Sequence, residues 1–150
     1  PFNAVGSGVE AVVDALLARD QPRAVDAVSA LNSLGSHAAI ATLAVRFGDA
    51  GIAALDGRPD VARGELLAAY AALRDLGATR RQGIIGLVMA TLLGTGDAQV
   101  RAAVTESRQL FEKMGAGLWL GLLDATEARG ALVPNARSAV KQLTVPAEHG

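Results

Sequence analysis

Apolar residues recur along this chain at steps of three and four, with charged residues between them. Ala62, Leu66, Ala69, Tyr70, Leu73 and Leu76 form one such stripe, and Arg63, Arg74 and Asp75 fall off it. Val100, Val104, Ser107, Phe111 and Met114 form another, with Arg101, Glu106, Arg108 and Glu112 largely off that face. This spacing is the mark of an amphipathic helix. Together with the punctuating residues it predicts helices over roughly 8–19, 21–34, 37–55, 60–76, 80–93, 98–114, 118–129 and 136–143.

The punctuation is local chemistry. Ser7 and Glu10 have the spacing of a capping box, Asp20 can cap the second helix, and Pro22 fits its first turn. Ser36 and Thr79 are candidate caps for the third and fifth helices. Gly57-Arg58-Pro59-Asp60 is the clearest turn, and Gly94-Thr95-Gly96-Asp97 separates the fifth and sixth helices. Pro134-Asn135 introduces the last helix, and the tail after Pro146 is expected to fray.

A short phrase closes three of these helices: Leu34-Gly35-Ser36, Leu76-Gly77-Ala78 and Met114-Gly115-Ala116. The glycines lie 42 and 38 residues apart. Periods of this length point to a degenerate array of helix hairpins. The third, fifth and seventh helices are more uniformly apolar than the fourth and sixth, which fits two layers with one of them sandwiched. Short connections make successive helices antiparallel neighbours, and no long polar linker divides the 150 residues, so one all-α domain is expected.

Composition narrows the picture. Half of the chain is apolar, yet it has one Trp, one Tyr and three Phe, so its core must come from Ala, Leu, Val and Ile. A net charge of −1 gives no basic excess of the kind nucleic-acid binders carry. With no Cys there are no disulfides, thiolate ligands or thiol nucleophiles, which fits a cytoplasmic protein. The apolar run from Gly83 to Gly94 is shorter than the roughly 20 residues that span a bilayer, so it reads as a buried helix. The sequence begins at Pro1 and reads as a piece of a larger protein.

Two stretches resemble a known family. Gly57, Ala62, Leu66 and Ala69 resemble part of the tetratricopeptide pattern of small residues at helix contacts, although its aromatic positions are missing. Leu110-Phe111-Glu112-Lys113-Met114-Gly115-Ala116-Gly117-Leu118-Trp119 is similar to the repeat-ending phrase of degenerate tetratricopeptide-like arrays in bacterial signalling ATPases, including LuxR-type and cyclase-linked regulators. Gly117-Leu118 departs from the Arg-Pro usual there. The resemblance covers about residues 36–125, strongly only 108–125. It implies a regulatory helical array that binds an inducer or a partner, and it carries over no catalytic residue.

No catalytic constellation is assembled by the sequence. Gly6-Ser7-Gly8-Val9-Glu10-Ala11, followed by Asp26, has the spacing of a dinucleotide fingerprint but lacks the preceding strand, and Gly94-Thr95-Gly96 lacks a phosphate-binding Lys. His37 and His149 have no ligand partners at metal-site spacing. Glu65, Glu106, Glu112 and Glu127 all fall on solvent-suited helix positions, so no carboxylate pair for proton transfer is expected.

Three residues remain as candidates for contact with a partner. Arg80 and Arg81 place two cations in the first turn of a helix, against its dipole. Trp119, the sole Trp, either plugs the gap between the last helix pairs or anchors an interface. The expectation is a non-catalytic helical scaffold or sensor, with no cofactor or metal, that holds a protein or peptide partner on its concave face. A small-molecule site between helices and self-association are the alternatives.

Overall fold

The computed structural model describes residues 3–130, and within them every regular element is a helix, as the periodicity predicts. In chain order these are α1 (Ala4–Leu17), α2 (Gln21–Ser33), α3 (Ala39–Leu55), α4 (Pro59–Asp75), α5 (Thr79–Leu93), α6 (Ala98–Met114) and α7 (117–130). The helix expected at 136–143 lies outside the described residues, as does His149.

One of the four expected caps forms: Asp20 accepts from the Arg23 N–H at 3.1 Å, with Pro22 in the first turn of α2. Asp97, in the turn expected before the sixth helix, also caps it, accepting from the Gln99 and Val100 N–H groups at 2.9 and 3.0 Å. The other three expected caps do not form. α1 begins a turn before Ser7, whose N–H already donates to the Asn3 carbonyl, so a capping box there has no free donor to satisfy. Ser36 accepts instead from the Ala38 N–H, because Ala38 stays extended and delays α3 to Ala39. Thr79 is the first residue of α5, and its hydroxyl donates to the Gly77 carbonyl.

Helix ends explain the thrice-used phrase. Gly35, Gly77 and Gly115 have φ of 63°, 69° and 66°, a left-handed conformation that glycine adopts without steric cost. At the second and third copies the chain closes with paired bonds: Ala78 N–H to Leu73 O and Gly77 N–H to Arg74 O, then Ala116 N–H to Phe111 O and Gly115 N–H to Glu112 O. The apolar residue before each glycine stays exposed.

Each of α1 to α6 packs on its chain neighbours. The odd-numbered α1, α3 and α5 also pack on one another, as α4 does on α6. This central position explains why α5 is buried continuously from Gln82 to Ala90. Gly83 faces Phe111 and Gly86 faces Ser107, so the partners descend along α6 as residue number rises along α5; the two helices are antiparallel. A Cβ at Gly86 would collide with the Ser107 hydroxyl, so glycine sets how closely they approach. Among the described residues no helix is long and apolar enough to cross a membrane.

Candidate functional site

The last two copies of the Leu-Gly phrase build a concavity on the helical stack. The turn at Gly77 starts α5 at once, so Thr79, Arg80 and Arg81 fall in its first turn; the turn at Gly115 does the same for Leu118 and Trp119 in α7. These two helix starts form two walls of a groove of about 550 Å³. Below Arg80 and Arg81 the α5 wall continues as Ile84 and Ile85, and the α7 wall includes Leu122. α1 forms the third wall with Val9, Val13 and Leu17, carrying Glu10 and Asp14, and the buried Phe47 of α3 joins the lining. Arg19, just past α1, ties that helix to α5 by donating to the Thr91 carbonyl at 2.8 Å.

The structure therefore brings together all three residues singled out by sequence. The Arg80 guanidinium lies over the Trp119 ring, 5.9 Å from its centroid, within cation–π range. Trp119 also stacks on Phe111, with ring centroids 6.2 Å apart and planes 17° from parallel. It is half-buried, packed on the core by one side and lining the groove. Arg80 and Arg81 make no ion pair or hydrogen bond among the described residues. Two cations in a first turn cost about 0.3–1 kcal/mol each at low salt, and no acidic residue lies in that turn of α5 to offset them.

A second polar cluster escaped the sequence reading. Glu106 does not point to solvent: its Oε1 accepts from Tyr70 Oη at 2.5 Å, Arg74 Nη2 at 2.5 Å and Gln82 Nε2 at 3.1 Å. It sits at the edge of the α6 stripe, and α4 packs alongside to bring Tyr70 and Arg74 within reach. No single-helix pattern contains that neighbour. The Tyr70 hydroxyl, then Arg74, hold the Glu106 carboxyl below the usual glutamate range, while burial first and Glu106 second push the Tyr70 hydroxyl up. A carboxylate fixed in its ionised form by three donors serves as a strut among α4, α5 and α6 and is a poor proton acceptor.

The remaining candidates are dispersed. Gly6 and Gly8 lie inside α1, and His37 is exposed on the segment before α3. Glu65 pairs with Arg46 at 3.0 Å, and Glu127 shares Arg108 with Asp124 at 2.9 and 2.7 Å, joining α6 to α7. No family model, curated protein or solved structure compared with the chain matches it.

Proposed function

We propose that this chain is a non-catalytic sensing module, a tetratricopeptide-like stack of helix hairpins that belongs to a larger cytoplasmic signalling regulator and takes a ligand in the groove between α1, α5 and α7. The observation that carries the reading is the convergence of Arg80, Arg81 and Trp119 on one apolar concavity. Its volume of about 550 Å³ falls in the range of roughly 300–1,000 Å³ typical of small-molecule sites. Fifteen residues line it, fewer than the roughly 20–30 a side of a standard protein interface. Size therefore favours a small ligand, whose binding the array would pass on to a protein partner.

A protein segment as the occupant is the second reading. It is favoured by Leu118, 73% exposed at the start of α7, and by Leu122, also exposed one turn further on. Thermal melting in the presence of an apolar metabolite library at millimolar concentration separates the two. A ligand at ten times its dissociation constant adds about 1.4 kcal/mol, a rise of about 3–5 °C for a chain of this size. A hit that also moves the emission of Trp119 supports the small-ligand site. No hit overturns it, and peptides selected from a random library then test the second reading.

A further inference from the structure

The reading of the groove as a ligand site says nothing of the ligand's charge; its rim does. Of the eleven arginines in the described residues, eight donate to or pair with a carboxylate, a carbonyl or a hydroxyl: Arg19, Arg46, Arg58, Arg63, Arg74, Arg101, Arg108 and Arg129. The other three are Arg23, on the exposed side of α2, and the adjacent pair Arg80 and Arg81. Apart from Arg23, which faces solvent, Arg80 and Arg81 are the guanidinium groups without an acceptor among the described residues, and they lie side by side at a largely apolar groove.

We infer that the groove takes a monocarboxylate amphiphile, such as a medium-chain acid, with its carboxylate at Arg80 and Arg81 and its apolar body along the accessible Leu17, Leu118, Trp119 and Leu122. This rests on the ligand-site reading above. A guanidinium presents a planar fork that matches a carboxylate, and next to apolar walls such a pair is less screened than on an open surface. The α1 wall limits the ligand further. Glu10 and Asp14 on α1 line the same groove, so any negative charge beyond the one held by Arg80 and Arg81 meets like charge there. One negative charge on an otherwise apolar molecule fits both walls.

Four ten-carbon probes test this: decanoate, decanol, decylammonium and decanedioate, each below its micelle concentration and followed by Trp119 emission and calorimetry. Decanoate should bind at least tenfold more tightly than each of the other three. The double variant Arg80→Gln/Arg81→Gln should weaken decanoate about tenfold and leave decanol unchanged, with Arg80→Lys/Arg81→Lys recovering part of the loss. Both Arg side chains sit at the rim, and circular dichroism confirms that the variants keep their helicity. Equal binding of decanol or decylammonium, or of decanoate to the Gln variant, overturns the inference while leaving the groove as an apolar site. If none of the four probes moves Trp119, the ligand-site reading fails with it.

Discussion

Tyr70 reaches from α4 to α6 and donates its hydroxyl to Glu106 at 2.5 Å, and the same hydroxyl lies 3.2 Å from the Ala103 carbonyl. Two hairpins are thus joined by a buried ring with a charged acceptor at its tip. Tyr70→Phe leaves Glu106 with two of its three donors and removes a charge-assisted bond. Such a loss costs about 1.5–3 kcal/mol. Urea unfolding of the variant should show a lower midpoint with an unchanged slope; a midpoint equal to that of the parent chain would mean the bond adds no net stability.

The same contacts set the acid limb of stability. The Glu106 carboxyl is lowered chiefly by Tyr70, and the Asp97 carboxyl chiefly by the Val100 N–H. A carboxyl with a depressed folded-state value contributes stability above its unfolded value, and that contribution is lost as pH falls through the folded one. With ordinary values near about 4, unfolding midpoints should hold above about pH 5 and fall below about pH 4. Glu106→Gln/Asp97→Asn should be less stable at neutral pH and lose less on acidification. An acid limb as steep as the parent's would remove these two groups as its source.

Gly86 packs closely on Ser107 where α5 meets α6, and the buried Ser107 hydroxyl has no hydrogen-bond partner among the described residues. Gly86→Ala should destabilise by about 1–3 kcal/mol through overpacking. Ser107→Ala removes an unsatisfied group, so it should be neutral or stabilising by about 1 kcal/mol. Placed together they should cost less than the sum of the two single changes, which a double-mutant cycle reads directly. Strict additivity would show that the two positions do not touch.

How much of this was legible in the sequence follows from the range of each interaction. Asp20 and Asp97 cap their helices because the bond joins residues two or three apart, and the Leu-Gly turns are equally local. Ser7 and Ser36 have suitable side chains, but the helix boundary shifted by a turn or less and left them off register. Periodicity alone puts Glu106 in solvent, because its partners come from positions 24 to 36 residues away in other helices. Arg80 and Arg81 stand out in the sequence for a local reason, the helix dipole, while their meeting with Trp119 depends on how α7 folds back. The groove could not be read from periodicity, since its walls come from three helices of separate hairpins.

Arg108 bridges Asp124 and Glu127 with both terminal nitrogens and holds α7 to α6. Its side chain is nearly a third exposed, so each contact is worth about 0.2–1 kcal/mol. Arg108→Ala should therefore loosen α7 locally. Amide exchange should quicken in 117–130 while the α3 and α5 amides keep their protection. Uniform acceleration throughout would mean instead that α7 unfolds only with the whole chain.

Occupancy of the groove is most directly tested by amide chemical-shift mapping of the isotopically labelled chain during titration with decanoate. The groove reading predicts saturable shifts concentrated in 9–17, 78–85 and 118–122, with the Trp119 indole N–H among the most perturbed. Shifts absent at millimolar decanoate, or gathered on the exposed faces of α2 and α4, would contradict it.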